Sequence, residues 1–324
     1  MQLELRRMGG TPKYRKPQYL SYSALKVYEE DAGDFYQRYM NPSRPPRPPQ
    51  ADYMAVGSAF DALVKNAIYC DLNGTAEGTP YAWPLIFHTQ VEELMWPILP
   101  LALNLFEQYK DCGAYSSLLL EVVASPEPPR MEFTAMREVE GVPLLGKPDL
   151  KYTSRDGLHI IGDWKMNGST SKTGASPQVG FRLCMDYGSR THNTCHKKFI
   201  PVLDRGVIRS AAPMDVTTDY WGEQMAMYAW LLGEPVGSQD FVAHIQQIAC
   251  RPVKGQVYPR AKFAQHVALV SPESQRGLIE RLKGCWSAVQ NEHVFADVSK
   301  EASDHRCWEL AQGPMVGLTG ATLL

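Results

Sequence analysis

The chain has no run of about 18 consecutive apolar residues, the length a helix needs to cross a bilayer. Its most apolar stretch, "LMWPILPLALNLF", is broken by Pro97 and Pro100. The opening "MQLELRRMGG" lacks the apolar core of a secretory signal, so a cytoplasmic location and no membrane partner are expected. Cysteine is sparse: seven residues, an odd number without close pairs, fit reduced thiols better than a disulfide framework. There is no CxxC pair to hold zinc or an iron–sulfur cluster. "HNTCH" has two histidines but no second pair at ligand spacing, and "NGSTSKTG" lacks the glycine that precedes Lys-Thr in a phosphate-binding P-loop. Neither sign of charge dominates, with 33 Lys/Arg against 35 Asp/Glu, so net charge alone argues neither for nor against nucleic acid.

What is present is an ordinary globular composition, 44% hydrophobic over 324 residues, enough for a sizeable core. Charge is unevenly placed. Residues 1–50 carry nine Lys/Arg against five Asp/Glu, and residues 167–210 seven Lys/Arg against two Asp, leaving the remainder acidic. "LSYSALKVYEEDAGDFYQRYM" reads as a helix capped by Ser21 or Ser23, followed by the extended, proline-rich "NPSRPPRPPQ". From Gly57, "GSAFDALVKNAI" places Phe60, Leu63, Val64, Ala67 and Ile68 at helical spacing with Asp61 beside them, and a longer helical region follows at about 89–110. "MEFTAMRE", "PLLGKPDLKY" and "LHIIGDWKM" read as three strands of an antiparallel meander. A Gly/Ser/Thr-rich and then basic stretch (167–218) reads as a flexible insertion. "TTDYWGEQMAMYAWLLGE" is a helix, "FVAHIQQIAC" and "KFAQHVALV" are strands, and Ser271-Pro272-Glu273 opens a helix running to about Asn291. The expected fold is α/β (α+β): one domain over 1–324, with a helical part at 51–130, a central mixed sheet within 131–295 flanked by helices, and a tail from 296.

The most informative stretch is "IIGDWKM", an apolar strand that ends by presenting a carboxylate and an ammonium two residues apart. If 143–152 and 158–166 form a hairpin about Asp156-Gly157, residues whose numbers sum to 312 or 313 are opposite. Asp149 and Asp163 then face each other about 5 Å apart at Cβ. Lys165 shares that face, because side chains alternate along a strand, and Trp164 points the other way. A slip of one would put Trp164 opposite Asp149 instead. Two facing carboxylates at the end of an apolar sheet need a proton, an ammonium or a metal ion. A hard divalent cation answers that need, and so does a plain solvated rim with an Asp–Lys pair.

"GKPDL" and "DWK", with thirteen residues between Asp149 and Asp163, resemble the PD-(D/E)XK nuclease core. The accompanying segments come in the expected order. "LSYSALKVYEEDAGDFYQRYM" resembles the Ser-rich opening helix of RecB-like and RecE-like exonucleases. "GSAFDALV" resembles their G-x-x-x-H helix, "EQMAMYAWLL" their Q-x-x-x-Y helix, and "SPQVGFRL" resembles the RecE branch. The likeness spans about 20 to 290 as short motifs. Asp61 stands where many relatives have His, and Asp31-Ala32 where iron–sulfur relatives have Cys-Pro, so no cluster is expected.

The resemblance implies a phage-type, metal-dependent DNA exonuclease that hydrolyses phosphodiester bonds at linear DNA ends in recombination, repair or DNA degradation, within the host cell if the chain is phage-encoded. Asp61, Asp149, Asp163 and the carbonyl of Trp164 would hold Mg²⁺, with Mn²⁺ able to substitute. Lys165 would stabilise transition-state charge or orient water, and Gln224 and Tyr228, at i and i+4, would support DNA or the reacting groups. Glu132 lies on a strand whose alternation leaves its direction open. Lys172, Arg182, Arg190, Lys197 and Lys198 would contact phosphates. A single-strand annealing or recombination partner and a homo-oligomer also fit the resemblance. An endonuclease for branched or single-stranded DNA, or a non-catalytic DNA-binding or assembly protein of the same fold, are the alternatives.

Overall fold

The computed structural model describes residues 15–44, 47–167, 181–183, 201–204, 207–210, 216–250, 258–259, 261–268 and 270–291. Among them the helices are α1 (Tyr22–Glu30), α2 (Ala32–Phe35), α3 (Asp52–Asn73), α4 (Leu85–Gln90), α5 (Leu99–Asp111), α6 (Ala114–Val123), α7 (Val216–Leu231) and α8 (Pro272–Asn291). The strands are β1 (Arg130–Met131), β2 (Ala135–Val139), β3 (Val142–Gly146), β4 (Leu150–Thr153), β5 (His159–Asn167), β6 (Phe181–Leu183), β7 (Pro201–Asp204), β8 (Val207–Ser210), β9 (Phe241–Cys250) and β10 (Ala261–Ala268). The chain is a mixed α/β protein. Its main sheet has six strands in the order β1-β4-β5-β9-β10-β6, and β2-β3 and β7-β8 form separate hairpins. Only the β5–β9 pairing in the main sheet is parallel, so the sheet is mixed. No helix of the described residues is long and apolar enough to cross a membrane.

The described residues fall into two compact units. One takes its members from Met1–Pro48, Glu138–Leu144 and Glu280–Leu323, the other from Pro49–Arg137 and Leu145–Ile279. In the first, Ser21 caps α1 by accepting from the Ala24 amide at 3.2 Å. The single opening helix expected from the sequence is split at Asp31. Its backbone is extended, and its carboxylate accepts from the amides of Gly33 (2.8 Å) and Asp34 (3.1 Å), so Asp31 starts a new helix instead of continuing the old one. The Leu20 amide donates to Pro143 at 2.8 Å, and Arg281 pairs with Glu29 at 2.7 Å.

The second unit carries the main sheet. β9 is buried at all ten positions because β5 and β10 flank it and both its faces are covered, which suits a sequence without Asp, Glu, Lys or Arg. α3 buries Ala55, Ala59, Phe60, Val64 and Ile68, and the Phe60 ring meets Tyr109 of α5 edge-on at 5.4 Å. It lies close on β5: a Cβ at Gly57 would stand 3.7 Å from that of Met166. α3 also begins earlier than the spacing from Gly57 predicts. The expected helix at 89–110 is instead α4, a 3₁₀ turn at Glu93–Ile98 containing Pro97, and α5, with Pro100 in its first turn. α6 falls within the helical part expected at 51–130, where the periodicity does not resolve it as a separate helix.

The meander is also corrected. "PLLGKPDLKY" is two strands in different sheets, since Pro148 has no amide to donate and ends the pairing of β3 before β4 begins. "MEFTAMRE" divides in the same way at Glu132, whose φ of 40° is a left-handed conformation that no strand contains. Within the stretch read as an insertion without periodicity, β6 pairs with β10, and β7 pairs with β8.

Candidate active site

The register of β4 and β5 sets the site. Leu150 pairs with Gly162 and Tyr152 with Ile160, sums of 312, and Gly157 at φ 82° makes the turn. Continued by one residue, this places Asp149 across from Asp163, the first of the two expected registers. β5 then distributes its side chains by alternation. Asp163 and Lys165 face α7, where Lys165 Nζ forms an ion pair with Asp163 and donates to Gln224 Oε1 at 2.8 Å. Gln224 Nε2 in turn donates to Tyr228 Oη at 2.7 Å, joining the i and i+4 residues of α7. Trp164 and Met166 face α3. The Tyr228 ring reaches the site across Gly146, where a Cβ would lie 2.6 Å from Cε1, so only glycine permits this approach.

On the α3 side is a second ionic cluster. Lys65 Nζ, fully buried, lies 2.5 Å from Asp61 Oδ2, 2.6 Å from Glu132 Oε2 and 3.3 Å from Asp149 Oδ1. Gln90 of α4 also donates to Glu132. The left-handed turn at Glu132 aims its carboxylate here, and the Glu132 amide donates to the Asp149 carbonyl at 3.0 Å. Asp149 joins the two clusters: Oδ1 faces Lys65, while Oδ2 accepts from the Trp164 amide at 3.3 Å. Its carboxyl lies close enough to that of Asp163 for a hydrogen bond between them.

Electrostatics follow from this layout. Burial pushes Asp163 well above the ordinary carboxylate range; Lys165 opposes the shift and Asp149 adds to it. For Asp149, burial acts upwards but is outweighed by Lys65, the hydrogen bond from Asp163, Lys165 and the Trp164 amide, and its carboxyl is held below the usual value. Asp61 is pushed up to about 7, first by burial and then by Asp149 and Glu132, against the pull of Lys65. Its Oδ1 is buried without a hydrogen-bond partner. The Tyr228 phenol is raised, first by burial and then by Asp163, so it remains a protonated donor at neutral pH. Among the described residues no group of three or more His, Cys, Asp or Glu is arranged as a metal cage, and an ammonium occupies the point that Asp61, Glu132 and Asp149 share.

Asp61, Asp149, Asp163, Lys165, Gln224 and Tyr228 thus lie in one connected network, with Trp164 contributing its amide. Glu132, whose direction the sequence left open, belongs to it. Lys65 and Gln90 also belong to it, although neither is assigned a place in the site from the sequence alone. The signal for Lys65 was available: it directly follows Leu63 and Val64 and lies three residues before Ile68, a cation inside an apolar stripe. Trp230 is a core residue whose Nε1 donates to the buried Gln275 at 3.0 Å. Lys172, Arg190, Lys197, Lys198 and the "HNTCH" segment lie outside the described residues. Arg182 lies on β6, paired in register with Phe263.

No protein-family model matches the chain, and no curated protein matches it. Among solved structures it is similar to one titled "Crystal structure of SSO0001", with 9% identity over 86% of this chain and 93% of that one and a TM-score of 0.26. A likeness of that size carries no argument about fold or activity.

Proposed function

We propose that the chain is a metal-dependent deoxyribonuclease with a PD-(D/E)XK core, acting as an exonuclease on linear DNA ends. The observation that carries this reading is the opposition of Asp149 and Asp163, with Lys165 two residues along the same face and Gln224 and Tyr228 closing the site from α7. A hard divalent cation fits these residues. Two carboxyl groups pressed together, one of them buried and raised, are what a bound cation would relieve, and Asp61 Oδ1 is a further oxygen without a partner. Mg²⁺, or Mn²⁺ in its place, would be held by Asp149 and Asp163, with Asp61 and the Trp164 carbonyl as further donors. When bound it would lower the pKa of water and neutralise charge on a phosphate.

The roles of the protein groups follow from their surroundings. Lys165, about a quarter exposed, can reach a scissile phosphate and stabilise the charge gathered on its oxygens as water attacks phosphorus and the leaving oxygen departs. Gln224 holds that ammonium in place through its carbonyl, and the Tyr228 hydroxyl fixes the Gln224 amide. The test is incubation of purified protein with linear and closed circular DNA, in Mg²⁺ and in EDTA. The expected result is loss of the linear substrate in Mg²⁺ alone. Cleavage of circles would point to an endonuclease, and binding without cleavage under any divalent metal would leave a non-catalytic DNA-binding protein.

A further inference from the structure

We propose that Lys65 is a tethered cation standing in the place of a second metal ion, so that the site takes up one divalent cation and not two. This rests on the nuclease reading above and specifies its metal stoichiometry. The argument is one of position and charge. Lys65 Nζ lies within 3.3 Å of oxygens from Asp61, Glu132 and Asp149, three carboxylates on three separate segments of the chain. A metal bridging those oxygens would have to occupy the same point. The ammonium cannot vacate it by swinging into water, because the side chain is fully buried and is packed against the interior of α3 beside the Trp164 ring, 5.9 Å from its centroid.

Charge leads to the same count. Four carboxylates (Asp61, Glu132, Asp149, Asp163) face two ammonium groups (Lys65, Lys165), leaving two negative charges when all are ionised. One divalent cation neutralises that excess. A second would leave a buried site with net positive charge before any phosphate arrives, which desolvation strongly disfavours. Lys65 engages Asp149 through Oδ1 only and does not touch Asp163, so it leaves the Asp149–Asp163 pair to the single ion; the ammonium on Asp163 is the part-exposed Lys165, which has room to move aside. Lys65 acts here as a positioning residue: it holds Asp149 and fills a metal position, but it is too deeply buried to meet DNA.

The test is direct counting of Mn²⁺ bound per chain, by isothermal titration and by electron paramagnetic resonance, on the wild-type chain and on Lys65→Met and Lys65→Gln. We expect one ion in the wild type. In both variants we expect two, with the spin coupling of a close Mn²⁺ pair, and a rise in melting temperature on adding Mn²⁺ that exceeds the wild-type rise. Two ions in the wild type would overturn the proposal while leaving the nuclease reading intact. So would a folded variant that still binds a single ion, or one whose melting temperature responds to Mn²⁺ no more than the parent's. No ion in the wild type would instead remove the metal-dependent reading itself. If a variant is unfolded without metal, recovery of its far-ultraviolet dichroism with Mn²⁺ supports the proposal, and failure to recover overturns it.

Discussion

Asp163, a metal ligand in the proposed function, is a residue whose burial works against stability. It is only 5% exposed, its Lys165 partner offsets part of the cost of burial, and Asp149 adds repulsion. Asparagine has the same shape without the charge. Asp163→Asn is therefore expected to fold with an unchanged or higher melting temperature, while cleavage of end-labelled linear DNA falls by about two to three orders of magnitude, the size typical of losing a central electrostatic group. The pH dependence has a definite sign. The folded carboxyl holds its proton to higher pH than the unfolded one, so the parent loses stability as pH rises through that interval, and the variant lacks this loss. Thermal melts of both proteins across the acidic to neutral range check the sign, and a lowered melting temperature with cleavage intact would contradict the assignment.

At the scale of elements, β9 gathers a polar group that the active site does not use. His244, on this fully buried strand, has Nδ1 3.0 Å from Tyr152 Oη of β4, while Gln246 Nε2 lies 2.9 Å from its other ring nitrogen. Tyr152 donates onwards to Glu121 of α6 at 2.5 Å. A neutral imidazole completes this chain. It donates from Nδ1 to the tyrosine oxygen and accepts from Gln246 at Nε2. Burial lowers the His244 pKa, with Glu121 opposing the shift. Below about 6.5, the ordinary imidazole value, the unfolded chain takes up a proton that the folded chain refuses. Stability should therefore fall as pH drops from that point towards the lowered folded value, by no more than about 1.4 kcal/mol per pH unit from this one group. His244→Gln should remove that part of the acid slope in urea unfolding at pH 5 and pH 7, whatever it costs in absolute stability. An unchanged slope would assign the acid sensitivity elsewhere.

For the molecule as a whole, a net charge of −2 must be reconciled with the polyanionic substrate proposed above. The acidic excess is partly used internally, since four carboxylates lie in the site, and the basic residues are concentrated in 1–50 and 167–210. The second stretch directly follows the strand that carries Lys165. Replacing Lys197 and Lys198 together by alanine is expected to weaken duplex binding and reduce the slope of log affinity against log salt by about two, roughly one counterion per lysine. Fluorescence anisotropy at several salt concentrations measures both. Identical affinity at every concentration would take these lysines out of the DNA path.

The β4–β5 register to within one residue, the pairing of Gln224 with Tyr228 on one helix face and the start of α8 at Pro272 were legible in the sequence. Each depends on local rules: a glycine turn, period-two alternation, helical i and i+4 spacing, a Ser-Pro cap. The choice that places Asp163, and not Trp164, across from Asp149 was made by the fold. The breaks at Asp31, Glu132 and Pro148 were less legible, because a capping carboxylate or one left-handed residue interrupts a pattern without changing its apolar content. What only the tertiary structure decided, besides that choice, is the second ionic cluster. Asp61 and Lys65 come from α3, Glu132 from a turn after β1, and Asp149 from the approach to β4, so no spacing in the chain predicts their meeting. A lysine keeps its charge when fully buried where carboxylates converge to offset its lost hydration. That convergence arises when α3 packs on β5, a contact between segments about a hundred residues apart, for which short-range periodicity contains no information.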